Sequence, residues 1–237
     1  MELERNLERL STDLHELHGT PDLGNHADPL DELVYIILSR RTNEGAYQSA
    51  YRSLRAAFRT WEEVADAPVE AVESAISASG LARRKAVSIG AFLRTIRDRF
   101  GACTLESLRS WEDDEVLDFL DDLPGVGTKS ALCVMLYSLG RPVFPVDAHV
   151  GRVLGRLGVL EPAGIDLVEM EHRPRQRVLL DAIPPHLRYG LHVNLVVHGR
   201  FPCRAVRPAC VQCPLLDRCR RRGVAEPLPG PDAGDEP

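Results

Sequence analysis

The sequence of 237 residues predicts an all-α protein. Apolar residues recur at helical spacing through most of the chain, sustained alternation of apolar and polar residues is absent, and residues that start or stop helices are frequent. A hydrophobic content of 44% with 27% charged residues excludes a disordered or collagen-like chain. Such a chain buries a real core, either as one large domain or as two small ones.

The first helices can be placed from their N-terminal signals. Asp28 is typical of an N-cap and Pro29 of a first helical residue, and apolar residues follow at helical spacing as far as Leu38. Thr60 and Glu63 form the pattern of a capping box, in which each side chain satisfies a free amide of the first turn.

Glycines and periodicity place the later helices. Gly80 and Gly101 are predicted to stop helices over 69–79 and 83–100. Further helices are predicted over 111–121, 129–139, 147–158, 166–182 and 185–198. Residues 224–237 are rich in proline and acid, cannot bury apolar surface, and are predicted to form a disordered tail.

The net charge of −6 argues at first against a nucleic-acid partner, because such binders usually present a basic surface. The acid is concentrated at the ends: residues 1–31 carry eight acidic and two basic residues, and residues 224–237 carry four acidic ones. Residues 32–223, with 27 basic and 23 acidic residues, therefore have a net charge of +4. A local basic surface remains compatible with this composition, as does an ordinary solvated one.

Lysine is scarce in this chain. Of the 29 basic residues 27 are arginine, and the lysines are Lys85 and Lys129. A guanidinium stays protonated, whereas a lysine amine can lose its proton and act as a nucleophile. Each lysine is therefore a candidate for chemistry that arginine cannot perform.

Four of the six cysteines form a cluster in sequence, Cys203, Cys210, Cys213 and Cys219. Nothing in the sequence marks an exported protein, so disulfides are not expected. One loop with unequal spacings can supply four thiolates to an iron–sulfur cluster, and this interpretation is favoured over a structural zinc ion, which remains open. Nearby arginines would offset the thiolate charge: Arg204, Arg207, Arg218 and Arg220.

A Pro-Gly-Val-Gly turn lies between two predicted helices. It consists of Pro124, Gly125, Val126, Gly127 and Thr128. The glycines permit close backbone approach to a ligand, and the amides that open the next helix suit a phosphate. An ordinary helix–helix turn is the alternative, and a nucleotide P-loop is excluded because a helix rather than a strand precedes it.

Lys129 follows this turn directly, and Asp147 comes eighteen residues later. If both begin consecutive helices, an amine faces a carboxylate where the helix dipole favours deprotonated groups, which suits a nucleophile and its helper. The alternatives are an N-cap for Asp147 and a solvated surface charge for Lys129.

Together these motifs resemble the endonuclease III family of helix-hairpin-helix DNA glycosylases. The resemblance runs from about Pro29 to Cys219 and includes Leu-Pro-Gly-Val-Gly-x-Lys at 123–129, Val-Asp-x-His at 146–149, His-Gly-Arg at 198–200 and the cysteine spacing. It implies that Lys129 is the nucleophile, that Asp147 is its helper, that the turn at 124–128 holds the DNA backbone, and that the four cysteines bind a [4Fe-4S] cluster.

The resemblance also implies an architecture. A six-helix domain would cover 22–142, and a cluster domain would combine 1–21 with 143–223. Double-stranded DNA would bind in the cleft between them, with the damaged or mispaired nucleotide flipped out of the stack. A monomer is expected.

Two further positions correspond to family residues that contact the bases of the duplex. Leu81 matches a family residue that wedges into the duplex, and a buried leucine in a helix–helix turn is the alternative. Arg41 stands where many members have a glutamine that fills the gap left by the extruded base. The run Arg40-Arg41-Thr42 is closer to relatives that remove thymine from T·G mismatches, although those usually carry tyrosine in place of Lys129.

The predicted function is therefore a base-excision-repair DNA glycosylase with β-elimination lyase activity at abasic sites, acting on oxidised pyrimidines in duplex DNA. Two alternatives stay open: a T·G mismatch glycosylase of the same fold, and an iron–sulfur DNA-binding module with weak or no catalysis. The acidic N-terminus and the lack of an apolar run of roughly 18 residues lead us to expect a cytoplasmic protein with no membrane partner, associated with the nucleoid if bacterial.

Overall fold

The chain divides into two compact units in the computed structural model, which describes residues 2–170 and 172–224. One unit is Asp22–Pro145, and the other joins the residues up to Pro21 to those from Val146 onward. The border after Pro145 lies three residues beyond the one implied by the family resemblance. The predicted tail, apart from Val224, falls outside the described residues.

Across the described ranges the regular elements are all helical, which confirms the all-α prediction. The α-helices are α1 Glu2–His18, α2 Pro29–Ser39, α3 Glu44–Ala57, α4 Trp61–Asp66, α5 Val69–Ala75, α6 Ala82–Phe100, α7 Asp113–Asp121, α8 Thr128–Tyr137, α9 Ala148–Leu157, α10 His172–Ala182 and α11 Arg188–Arg200. Short 3₁₀ turns include Cys210–Gln212 and Leu216–Arg218. No helix within the described part is both long and apolar enough to cross a membrane.

The unit Asp22–Pro145, all of which the structure describes, contains seven α-helices, α2 to α8, rather than the six implied by the resemblance. Two of these are short. Pro68 keeps the preceding residue, Ala67, in an extended conformation (φ −69°, ψ 147°), so α4 ends there and α5 begins just after it.

Helix α8 runs through the core of this unit. All seven residues from Ser130 to Leu136 are buried, and α8 packs against α2 and α7. A helix that is apolar on every face is stable only when it is surrounded by other elements. The core therefore fixes the start of α8, where Lys129 lies.

Three of the predicted helix ends are observed. The Asp28 carboxylate caps α2 by accepting hydrogen bonds from two first-turn amides at 2.9 Å each. Gly101 ends α6 in the left-handed region, with φ 79°. Thr60 caps α4, because its hydroxyl accepts a hydrogen bond from the Glu63 amide at 3.2 Å. The second hydrogen bond of the predicted capping box differs: the Glu63 carboxylate accepts from the amide of Arg59 (2.6 Å) rather than from that of Thr60.

Two predicted boundaries are wrong. Gly80 does not stop a helix, because α5 already ends at Ala75 and Gly80 lies in the loop before α6. The helix predicted from 166 begins at His172. The Asp166 carboxylate accepts from the amides of Val168 (2.9 Å) and Glu169 (3.3 Å), and this side-chain turn competes with helix formation.

The second unit is built around α11, which packs against both α1 and α9. Helix α1 buries one face through Leu7, Leu10 and Leu14. On a neighbouring face of α1, the Asp13 carboxylate accepts two hydrogen bonds from the Arg218 guanidinium. The first helix of the chain is thereby tied to the cysteine-rich segment near its end.

Candidate active site and cysteine loop

The turn at 124–128 joins α7 to α8 and forms the predicted hairpin between two helices. Gly125 has φ 77°, and a Cβ atom there would lie 1.9 Å from the Ser88 hydroxyl oxygen. Both the backbone conformation and the lack of space require glycine at this position. Val126 is buried, and it anchors the tip of the turn to the core.

Three side chains hold the hairpin in place. The Ser88 hydroxyl donates to the Pro124 carbonyl at 2.9 Å, and the Arg40 guanidinium donates to the Gly125 carbonyl at 2.8 Å. The Thr128 hydroxyl donates to the Asp121 carboxylate at 2.8 Å, which links the two helices across the turn. The Gly127 carbonyl accepts hydrogen bonds from the amides of Ser130 (2.7 Å) and Ala131 (3.1 Å), which closes the first turn of α8 directly after the hairpin.

Lys129 is the second residue of α8 and is half-buried. Its surroundings in this unit include Glu32 of α2, a carboxyl that is fully buried. Asn25 donates to one Glu32 oxygen at 2.6 Å, and the His26 amide donates to the other at 2.7 Å. Burial raises the pKa of Glu32 to about 7, while these hydrogen bonds and the Lys129 ammonium act in the opposite direction.

Glu32 was missed in the sequence. The signal was an acidic residue within the run of apolar residues from Leu30 to Leu38. Because its carboxyl is buried and interacts electrostatically with Lys129, Glu32 is a further candidate for a residue of the functional site.

Asp147 lies in the other unit and is the N-cap of α9. Its carboxylate accepts a hydrogen bond from the Val150 amide at 2.8 Å, as the N-cap interpretation predicts. The preceding amide, of Val146, donates to the Gln176 side chain of α10 at 2.9 Å. The carboxylate is thus fixed at the positive end of the α9 dipole.

The Val-Asp-x-His and His-Gly-Arg motifs meet inside this unit. A Cβ atom on Gly199 would lie 2.7 Å from the Cβ of His149, so glycine is required for this contact. Arg152 joins the two motifs to the cysteine loop, because it lies 3.1 Å from His149 Nδ1 and donates to the carbonyls of Gly199 (2.8 Å) and Cys203 (3.1 Å). Burial lowers the pKa of His149.

The four clustered cysteines share one cavity. Cys203, Cys210, Cys213 and Cys219 all line it, and none of them forms a disulfide. Among the residues that the structure describes, no three His, Cys, Asp or Glu side chains are grouped closely enough to form a site for a single metal ion. The other two cysteines, Cys103 and Cys133, are buried in the first unit.

The cysteine cavity has buried donors in its wall. The Arg156 guanidinium, only 9% exposed, donates to Cys203 Sγ at 3.4 Å and to the Arg204 and Ala205 carbonyls at 2.7 and 3.0 Å. His198 Nε2 lies 3.5 Å from Cys213 Sγ, and its Nδ1 lies 3.2 Å from His18 Nε2. Burial raises the pKa of the Cys213 thiol, and burial lowers that of His198 to about 4.

The arginines expected to offset the thiolate charge are only partly available for it. Arg218 pairs with Asp13, and Arg220 pairs with Glu161 at 2.6 Å. Arg204 instead lies over the Phe201 ring, with its guanidinium carbon 5.6 Å from the ring centroid. Arg156, which the sequence analysis did not single out, contacts a cysteine sulfur directly.

Arg41 and Leu81 both adopt left-handed backbone conformations, with φ 51° and 61°. Arg41 is exposed in the loop after α2, and the Leu81 side chain, on the loop before α6, is 50% exposed. The alternative of a buried leucine is therefore wrong. Non-glycine residues rarely adopt this conformation; Arg207 and Arg221, in the cysteine-rich segment, adopt it as well, with φ 50° and 54°.

Comparison with known proteins agrees with this architecture. Residues 34–173 match the model of the HhH-GPD superfamily of base excision DNA repair proteins. A candidate DNA glycosylase of Arabidopsis thaliana is 36% identical over 73% of this chain, which spans 57% of that protein's length. Endonuclease III of Haemophilus influenzae is 30% identical over 88% of this chain and 91% of its own.

Solved structures show the same fold. A non-covalent endonuclease III–DNA complex superposes with a TM-score of 0.77 at 26% identity, covering 92% of this chain and 95% of that one. A thermostable thymine-DNA glycosylase has a TM-score of 0.74 at 20% identity, covering 91% and 95%. A hairpin between helices, fixed by an obligatory glycine, and a four-cysteine loop define a protein of the helix-hairpin-helix class. The chain belongs to the HhH-GPD superfamily of base excision DNA repair proteins.

Proposed function

We propose that this protein is a bifunctional DNA glycosylase and abasic-site lyase that removes oxidised pyrimidines from duplex DNA. The observation that carries the proposal is Lys129, an amine on the first turn of a buried helix, directly after a hairpin whose Gly125 accepts no side chain. The likeness to an endonuclease III solved with DNA supports duplex DNA as the partner.

The proposed chemistry uses an amine that arginine cannot replace. The neutral Lys129 amine attacks the sugar C1′, the bond from C1′ to the base breaks, and the base leaves with the electron pair. The nitrogen loses a proton, and the sugar ring opens to a Schiff base. Loss of a C2′ proton then breaks the C3′–oxygen bond and cuts the strand, and hydrolysis frees Lys129.

Asp147 would accept the proton from the amine or stabilise the positive charge that develops on the sugar. Its role as the N-cap of α9 is compatible with this function, because the cap fixes the carboxylate without protonating it. The hairpin at 124–128 would hold a DNA phosphate through its backbone amides.

The exposed positions of Leu81 and Arg41 support their proposed roles in the duplex. An apolar side chain that is 50% exposed at a turn suits a wedge between bases. The exposed guanidinium of Arg41 would occupy the gap opposite the estranged base.

We further propose that Cys203, Cys210, Cys213 and Cys219 hold a [4Fe-4S] cluster. Four cysteines without a disulfide line one cavity, and nitrogen atoms of Arg156 and His198 lie within hydrogen-bond distance of two of the sulfurs. This donor set fits a polynuclear group. Such a cluster, when bound, supplies cross-links between the segments that carry its ligands. A colourless anaerobic preparation with stoichiometric zinc and no iron would exclude it.

Borohydride reduction of the Schiff base tests the proposed nucleophile. Wild-type protein should form a covalent complex with DNA containing an oxidised pyrimidine or an abasic site, and Lys129→Gln should abolish it. Lys129→Arg is the matched control, because it keeps the positive charge but not the nucleophile and should retain DNA affinity without trapping. A trapped complex that persists in Lys129→Gln would remove Lys129 from this role.

A T·G mismatch glycosylase is the second candidate, favoured by the Arg40-Arg41-Thr42 run and by the exposed Arg41 side chain. Excision across a panel of oxidised and mismatched duplexes separates the two substrates. Tight binding to abasic-site DNA without strand cleavage, by protein with a full complement of iron, would instead support a DNA-binding module.

A further inference from the structure

Lys85, the second lysine of the chain, is buried. It lies in the first turn of α6 and is only 5% exposed, although lysine is among the residues least often buried. It takes no part in the chemistry proposed above. Burial and the nearby Arg40 guanidinium lower its pKa to about 8, which means that the protein disfavours the charged form of this amine.

Three oxygen acceptors surround the Lys85 ammonium. Its Nζ donates to the Leu38 carbonyl at 2.7 Å, to the Thr42 hydroxyl at 2.8 Å and to the Ser79 hydroxyl at 2.6 Å. An ammonium has three donors, so each has one partner. A compact tetrahedral ammonium suits these converging acceptors, whereas the planar fork of arginine does not.

These acceptors come from three separate elements. Leu38 is near the end of α2, Thr42 is in the loop from α2 to α3, and Ser79 is in the loop from α5 to α6. The Ser79 hydroxyl also donates to the Leu38 carbonyl at 3.0 Å. The two loops are in close contact as well, since a Cβ atom on Gly80 would lie 3.2 Å from the Arg41 carbonyl oxygen.

The joined loops carry two of the four left-handed non-glycine residues in the described part of the chain: Arg41 on one loop and Leu81 on the other. A left-handed conformation at a residue with a side chain is unfavourable, and it persists only where surrounding interactions enforce it. Lys85 is placed to enforce both, because its acceptors include Thr42, next to Arg41, and Ser79, two residues before Leu81.

We propose that Lys85 is a positioning residue that holds the Arg41 loop and the Leu81 loop together as one rigid unit. Leu81, as the wedge between bases, and Arg41, as the residue that fills the gap, would then enter the duplex together. The inference rests on the proposed function. It assigns Lys85 to base extrusion rather than to bond breaking. Its loss should therefore slow excision only when the enzyme must open the base pair itself.

The test compares full-length wild-type protein with Lys85→Met on two DNA substrates in single-turnover excision. One carries an oxidised pyrimidine in a fully paired duplex, and the other carries it in an unpaired bubble. Loss of the three hydrogen bonds should slow excision from the paired duplex by about tenfold or more. Excision from the bubble should change little, and rescue by the bubble is a readout that general destabilisation would not produce.

Two further variants separate positioning from folding. Ser79→Ala removes one acceptor and leaves Lys85 in place. Excision from the paired duplex should slow relative to excision from the bubble, but less than in Lys85→Met. Arg94→Met removes another tether from α6, the hydrogen bond from Arg94 to the Ala65 carbonyl (2.9 Å), and should leave the ratio of the two rates unchanged. In the double variant Leu81→Ala with Lys85→Met, the two losses should not add, because both act on one step.

Fluorescence of 2-aminopurine placed beside the lesion reports unstacking without requiring excision. Wild-type protein should raise the signal on the paired duplex, and Lys85→Met should not. Equal signals, or equal slowing on both substrates, would overturn the role of Lys85. Failure of the proposed function looks different, because wild-type protein itself would then excise no base from either substrate.

Discussion

Glu32 shows how a single buried residue links folding to pH. Its carboxyl is fully buried in α2, and its pKa of about 7 lies above the ordinary value of 4.5. The folded state therefore holds the proton more tightly than the unfolded state. The contribution of Glu32 to the free energy of unfolding is therefore highest below pH 4.5, and it falls as the pH rises towards 7.

Glu32→Gln should remove this contribution. Because glutamine carries no charge to bury, the variant should lose less stability than the wild type between pH 5 and pH 7, a window set by the two pKa values. Urea unfolding at several pH values measures the slope. Glu16→Gln, at an exposed position on α1, is the control and should follow the wild type. Parallel curves for Glu32→Gln and the wild type would contradict the prediction.

At the scale of single residues, sequence reasoning found the groups that belong to motifs. Lys129, Asp147 and the four cysteines are candidates because of the motifs around them, and the family resemblance implies the roles proposed for them. Glu32 and Arg156 belong to no motif, and Lys85 is a candidate in the sequence only because lysine is scarce. Each is defined by burial against distant parts of its own unit, as with Lys85 and the Leu38 carbonyl 47 residues away.

The hairpin illustrates the scale of one element, since its shape depends on a single glycine. Gly125→Ala places a methyl group against Ser88 and forces a side chain into the left-handed region. Overpacking and backbone strain together should cost about 2–5 kcal/mol of unfolding free energy. Urea denaturation measures the loss.

Gly127→Ala is the matched control for this prediction. A Cβ atom on Gly127 meets nothing within 4 Å, and its φ of −133° suits any residue. Because Gly127 is the N-cap of α8, where alanine is less favourable than glycine, the unfolding free energy should fall by about 1 kcal/mol or less, even if the affinity for DNA changes. Equal stability of the two alanine variants would refute the structural argument for Gly125.

Helix positions were predictable where capping residues mark them, as at Asp28 and Gly101. Helix α3 has no counterpart among the predicted helices, although Asn43 caps it and its buried face has regular spacing. Its buried residues are Tyr47, Ala50, Tyr51 and Leu54. Two of these four residues are tyrosines, whose hydroxyl makes them less clearly apolar in a sequence pattern. In the folded protein the Tyr47 ring packs against that of Tyr35, with ring centroids 5.1 Å apart.

At the scale of the whole molecule, the proposed cluster should stabilise one unit selectively. Arg152 and Arg156 connect α9 to the Cys203 segment, and Arg218 connects that segment to α1. Removal of the cluster should loosen these helices together, because its ligands would no longer hold the segment. The unit Asp22–Pro145 contains none of the four ligands and should be unaffected.

Hydrogen–deuterium exchange measures this difference. After oxidation and chelation of the metal, amides of α9 and α11 should exchange faster than in the untreated protein, whereas those of α2 and α8 should not. Protein treated with chelator alone is the control. Equal acceleration in both units, or none in α9 and α11, would contradict a structural role for the cluster.

The packing of α1 against α11, which are far apart in sequence, affects how this unit folds during biosynthesis. Helix α1 leaves the ribosome before α11, which packs against it and follows about 170 residues later. At ordinary translation rates Leu7, Leu10 and Leu14 wait roughly 10–30 s for their partner. The unit Asp22–Pro145 is continuous in sequence and can fold meanwhile. Docking of α1 on the newly made α11 then completes the packing between these two helices.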